Sequence, residues 1–170
     1  DALRRSGTPY RIIGGVRFYE RREIKDALSY LRLMLNPHDD VSLRRVINVP
    51  ARGIGKGVMD SVEAIELETE GDLPPLLVGL NPVPTNRSLW AKVVHALDTR
   101  SLAPRAASSL GAFRNLVVQL ATMAAQEPVS IALGKALDQS GYLRDLREER
   151  SEEAEGRVEN LAELVSAARE

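Results

Sequence analysis

The sequence predicts a mainly α-helical, multi-helix domain with a helical hairpin built around a Gly-Ile-Gly turn and at most one or two short strands near the amino terminus. Three observations carry that expectation. Apolar residues recur at three- and four-residue spacing along most of the chain. Proline and glycine stand at the borders of those stretches rather than inside them. With 28% charged and only 4% aromatic residues, the composition suits helices with solvated faces better than sheets.

Taken in order, residues 1–6 read as the tail of a helix closed by Gly7, and Tyr10-Arg11-Ile12-Ile13 as a short β-prone run halted by Gly14-Gly15. Over residues 20–35, Ile24, Ala27, Leu28, Leu31 and Leu35 keep helical spacing until Asn36-Pro37 ends the pattern. Asp39 or Asp40 then N-caps a second helix carrying Val41, Leu43, Val46 and Ile47, which must break at Pro50. A glycine-rich turn follows. Residues 58–70 are helical again, with Val58, Val62 and Ile65 on one face and Gly71 as the stop. Residues 72–86 contain Pro74, Pro75, Pro82, Pro84 and Gly79, which predicts a surface loop. Beyond it, residues 87–97, 104–126, 129–140, 142–150 and 153–170 read as helices, with Pro104, Pro128 and Gly141 at their borders. The run from Glu148 to Glu153 is expected to be a solvated helix junction.

The 170 residues, 44% of them apolar, suffice for one globular core. The absence of cysteine excludes disulfides and thiolate zinc sites and favours an intracellular setting. No apolar run reaches the roughly 18 residues of a membrane span. The start at Asp1 without Met, and the end at Glu170 inside a helical pattern, lead us to expect a segment cut from a longer chain. Net charge is −1, but residues 1–60 carry 12 Arg/Lys against 7 Asp/Glu and residues 141–170 carry 5 against 9. The amino-terminal third is therefore the basic end.

The inventory for catalysis is poor. His38 and His95 are the only histidines and are expected at the surface, which leaves a Ser–His–acid triad little support. Asp39-Asp40 lacks a third oxygen ligand at calcium-loop spacing and is expected to cap a helix rather than bind metal. Gly55-Lys56 does not complete a phosphate loop, because Pro50 occupies the first Gly position and Gly57 the hydroxyl position. A dinucleotide fingerprint fails as well, since no strand precedes the glycines. What remains is Arg52-Gly53-Ile54-Gly55-Lys56-Gly57 between two helices. Glycines there let backbone N–H groups converge on a phosphate, the next helix offers its positive end, Arg52 and Lys56 flank the site, and Ile54 packs inward. Those are the needs of sequence-independent duplex binding. An ordinary interhelical turn with solvent-facing cations fits the same residues equally well.

Tyr10-Arg11-Ile12-Ile13-Gly14-Gly15-Val16-Arg17-Phe18-Tyr19-Glu20-Arg21-Arg22-Glu23-Ile24-Lys25-Asp26 resembles the passage by which helicases of the UvrD/Rep/PcrA type leave motor domain 2A and enter accessory domain 2B. Arg44-Arg45-Val46-Ile47-Asn48-Val49-Pro50-Ala51-Arg52-Gly53-Ile54-Gly55 is similar to the family's Gly-Ile-Gly element. Arg157-Val158-Glu159-Asn160-Leu161-Ala162-Glu163-Leu164 resembles the return toward 2A.

The resemblance implies that residues 1–19 close motor domain 2A with its crossover strand and that residues 20–170 form the 2B domain. The parent would be an ATP-dependent helicase of 3′-to-5′ polarity, cytoplasmic and nucleoid-associated, acting in repair or replication. ATP, Mg and the ATPase motifs belong to other parts of that parent, so the fragment alone is expected to hydrolyse no ATP and to hold no cofactor. Gly53, Ile54 and Gly55 match the duplex-phosphate element, with Arg52 and Lys56 as neighbouring cations. Lys25 and Arg32 match positions near the single-stranded DNA track, and their seven-residue separation puts both on one helix face. Implied partners are junction DNA, motor domains 1A, 1B and 2A, and repair proteins. A protein-interaction or autoinhibitory module of the same kind of helicase is the alternative, and the equivalent domain of a helicase–nuclease subunit a third. Val58 replaces a hydroxyl residue of the family pattern, which lowers the expected duplex affinity, and the Pro-rich stretch is longer than the pattern.

Overall fold

The computed structural model describes residues 16–67 and 87–169. Among them the chain forms nine helices and no strand, so the mainly α class holds. The β-prone run at residues 10–13, the preceding helix tail and the Pro-rich loop at 72–86 lie outside the described residues.

Helix α1 (Val16–Glu20) is separated from α2 (Arg22–Leu35) by Arg21, whose extended backbone (φ −62°, ψ 142°) breaks the expected continuous helix. Arg21 is held there by its hydrogen bond to Asn160 Oδ1 and by lying 5.7 Å over the buried Phe18 ring. Helix α3 (Asp40–Val46) starts on Asp39, which accepts from Ser42 N (3.0 Å) and Ser42 Oγ (2.9 Å). These bonds also lower the Asp39 carboxyl pKa, the backbone one most. Asp40 accepts from Leu89 N (2.8 Å) at the start of α5, so one acid caps α3 and the next ties α3 to α5.

Helix α4 (Lys56–Glu63) begins two residues before the expected start and ends seven before the expected stop. At that end Lys92 Nζ of α5 donates to the Glu63 carbonyl (2.6 Å), satisfying an acceptor that the helix leaves open. Helices α5 (Leu89–Asp98), α6 (Pro104–Ala124), α7 (Val129–Gln139), α8 (Tyr142–Glu149) and α9 (Glu152–Ala167) fall close to the expected ranges. Ser88 and Ser151 cap α5 and α9, and Pro104 opens α6. After α5, Ser101 N bonds to Ala96 O and Arg100 N to Leu97 O, with Arg100 left-handed at φ 54°. This helix stop normally uses glycine, and an arginine there costs about 1 kcal/mol.

Helix α2 is the hub, packing against α1, α3, α6, α7 and α9. Its buried face is not the one the apolar spacing indicates. Leu35 is 71% exposed and Leu28 and Leu31 are half-buried, whereas Glu23, Asp26, Ser29 and Tyr30 are buried beside Ile24, Ala27, Leu33 and Met34. Two buried carboxylates are tolerable only because both are paired. Asp26 accepts from Arg45 Nε and from the Tyr142 hydroxyl, each at 2.7 Å. Glu23 accepts from Asn160 Nδ2 (2.8 Å), joining α2 to α9.

Replacing Asp26 with Ala would strand the Arg45 and Tyr142 donors. We expect a loss of about 3 kcal/mol in urea unfolding, with Asp26→Asn losing less. Burial, and then the bond to Asp26, push the Tyr142 pKa above its usual value of 10.0, and burial does the same for Tyr30. A raised pKa means that the unfolded chain releases these protons first, so stability falls as pH rises above about 10. Urea midpoints measured between pH 8 and pH 11 should fall across that upper window. Tyr142→Phe should flatten the fall while lowering stability at neutral pH.

Candidate nucleic-acid interface

The connection from α3 to α4 is organised by two side chains that the sequence does not single out for this purpose. Asn48 Oδ1 accepts from Arg52 N (2.7 Å) and Ile54 N (3.1 Å), folding residues 48–54 back on themselves. Tyr30 of α2 donates to Val49 O (2.5 Å) from the other side. Gly53 adopts φ +76°, where a side chain would be strained. Ile54 then drops into the core at 2% exposure, as its place between glycines suggests.

Arg52, expected to flank a phosphate, is turned inward. Its Nη1 faces Val46 O (2.9 Å), Ile47 O (3.3 Å) and Pro50 O (3.2 Å), and its Nη2 donates to Tyr30 Oη (2.7 Å) and Ser140 O (3.0 Å). The guanidinium carbon also sits 5.3 Å from the Phe113 ring centroid. Val46 and Ile47 end α3 and Ser140 ends α7, so the cation is held between two helix carboxyl termini, where carbonyls lack partners and the dipole is negative. No carboxylate is needed to neutralise it. A phosphate would have to displace these bonds, so Arg52 braces the connection instead of offering its charge to solvent.

The outward-facing part of the element is residues 55–57. A Cβ on Gly55 or Gly57 would meet nothing within 4 Å. Gly55 caps α4 with no side-chain bond, leaving the first-turn N–H groups of α4 pointed at solvent without intrahelical acceptors. The Lys56 side chain is 89% exposed and pairs with Asp60 one turn on (2.6 Å). That hydrogen bond raises its pKa above the usual lysine value. Val58, half-buried, supplies no hydroxyl there.

Lys25 and Arg32 are both exposed on α2 and share one face, with no ion-pair partner among the described residues. His95 is exposed, but His38 is half-buried and its Nδ1 lies 2.6 Å from Ser88 Oγ, which corrects the expectation of a surface residue. Among the described residues no cluster of three metal-ligating side chains occurs and no helix is long and apolar enough to cross a membrane.

The cleft behind the connection, of about 500 Å³, is walled by Pro50, Ala51, Ser108, Ser109, Gly141 and Arg144. Spacing alone does not reveal this neighbourhood, because residues 50, 109 and 141 are far apart in the chain. The Asn48-Val49-Pro50 string was the one local signal, since Asn readily bonds backbone N–H groups downstream.

Residues 1–72 match the model of the UvrD-like helicase C-terminal domain. Over 170 residues, the whole chain, the protein is 38% identical to DNA helicase II of Escherichia coli (strain K12), of which it covers 21%. It is 39% identical over the same span to DNA helicase II of Haemophilus influenzae, again covering 21%. It is 31% identical over 169 residues to the ATP-dependent DNA helicase PcrA of Bacillus subtilis, with 99% of this chain and 21% of that one matched. The chain thus spans about a fifth of the length of these curated relatives. Throughout its length it is homologous to a segment of the DNA helicase II and PcrA proteins, and its amino-terminal part matches the UvrD-like helicase C-terminal domain.

Proposed function

We propose that the chain is the 2B accessory domain, with a short stretch of motor domain 2A, of an ATP-dependent 3′-to-5′ DNA helicase of the UvrD/Rep/PcrA type, and that it grips duplex DNA through the backbone. The observation that carries the reading is the element at residues 53–57. A left-handed Gly53 and a buried Ile54 anchor it, and Gly55, Lys56 and the free amino end of α4 stand outward with open space before them. Such a surface suits phosphate oxygens of any sequence. Arg52 contributes by bracing the element, and Lys56 is the side-chain cation that meets the phosphate. Lys25 and Arg32, exposed on α2, are the cations proposed to lie along the single-stranded tail. ATP turnover, the motor domains 1A, 1B and 2A, and any repair proteins that bind belong to the parent enzyme under this reading.

The test is fluorescence anisotropy of the 170-residue chain with a duplex bearing a 3′ single-stranded tail, measured over a range of salt. Lys56→Ala should weaken binding and make the plot of log affinity against log salt shallower by about 1, the signature of one lost phosphate contact. Gly55→Ala is the more discriminating change. The backbone at Gly55 (φ −83°, ψ −176°) is accessible to any residue and the added methyl meets nothing in the free protein, so urea stability should change by under about 1 kcal/mol while duplex affinity falls. Arg52→Ala should instead lower both stability and affinity. Duplex binding indifferent to Gly55 and Lys56 would move the domain's role to contact with protein.

A further inference from the structure

The amino-terminal third is not the only basic region. Residues 87–126 carry Arg87, Lys92, Arg100, Arg105 and Arg114 against Asp98 alone. The fold sets part of this region beside the element at residues 53–57, because α5 packs on both α4 and α6. Ser109 Oγ of α6 lies 3.7 Å from where a Cβ on Gly53 would stand. Arg105 precedes Ser109 by four residues and so occupies the same face of α6 one turn earlier.

The acids of α4, α5 and α6 are already engaged. Asp60 pairs with Lys56, Glu63 with Arg44 (2.9 Å), and Asp98 with Arg114 (3.8 Å). Lys92 is spent on the Glu63 carbonyl. Arg100 and Arg105 are exposed and have no such partner among the described residues. Arg100 also occupies the left-handed position that ends α5, where glycine would be less strained, so its side chain is present despite a conformational cost. Across the cleft, Asp145 and Glu148 of α8 face Ser108 and Ser109. They repel a polyanion from the cleft itself and leave the surface of α4 and the start of α6 as its path.

We infer that Arg105, supported by Arg100 in the α5–α6 connection, is a second phosphate contact for the same duplex, extending the surface begun by residues 53–57 onto α6. This rests on the duplex-binding reading above. Tailed-duplex anisotropy over a salt series, with urea midpoints for each variant, tests it on the wild-type chain, Lys56→Ala, Arg105→Ala, Arg105→Lys, Arg100→Gly and, as a distant control on α8, Arg147→Ala.

Arg105→Ala is expected to weaken duplex binding about 5- to 10-fold and to make the salt plot shallower by about 1, with Arg105→Lys keeping the slope and Arg147→Ala behaving as wild type. Arg100→Gly should raise the urea midpoint yet weaken duplex binding, a combination that unfolding cannot produce. If Lys56→Ala weakens binding while Arg105→Ala and Arg100→Gly match wild type in affinity and slope, the second contact is refuted and the first stands. If the wild-type chain shows no salt-dependent duplex binding, both fall together.

Discussion

The guanidinium of Arg52 is the interaction on which the rest of the arrangement depends. It closes the carboxyl end of α3 and the carboxyl end of α7 at once, holds the Tyr30 hydroxyl of α2, and lies against Phe113 of α6. Four helices meet at one side chain. A half-buried cation is costly unless its hydrogens are satisfied and its charge is met by negative potential. Here the potential comes from two helix ends, so the charge needs no acid, and the geometry of both ends becomes a condition for the cation to be stable.

A second polar knot lies one turn earlier on α2, where Asp26 receives Arg45 from α3 and Tyr142 from α8. Tyr30 and Tyr142 meet edge to face with centroids 6.5 Å apart, joining the two knots through an aromatic contact. Buried polar groups of this kind specify one arrangement of helices more sharply than apolar contact, because any other packing leaves a donor or acceptor unpaired. The consequence for function is rigidity at a chosen place. The connection at residues 48–54 is tied down from inside by Asn48, Arg52 and Ile54, and the few residues that follow can present glycine backbone and one lysine to solvent without bending away.

On the proposed reading, this division of labour explains why a surface with modest charge can meet DNA. Binding that relies on backbone N–H groups and positioned single cations requires a fixed frame more than a large net charge. The frame is supplied by α2, α3 and the ends of α7 and α8, while the contact surface is shared between the start of α4 and, by our inference, the start of α6.

Much of the fold was legible in the sequence. Periodicity with Pro104, Pro128 and Gly141 located the helices, the Asp39-Asp40 pair announced a cap, and Ile54 between glycines announced an anchor, because each of these depends on neighbours a few residues away. The rotation of α2 about its axis was not legible. Apolar spacing drew the buried face through Leu28, Leu31 and Leu35, whereas Glu23 and Asp26 are buried because Asn160, Arg45 and Tyr142 arrive from distant parts of the chain to pair with them. The same holds for Arg52. Local sequence presented it as a free cation beside glycines, and only the convergence of two helix carboxyl ends, placed by tertiary packing, decided that its charge would be used inside the domain rather than offered outside it.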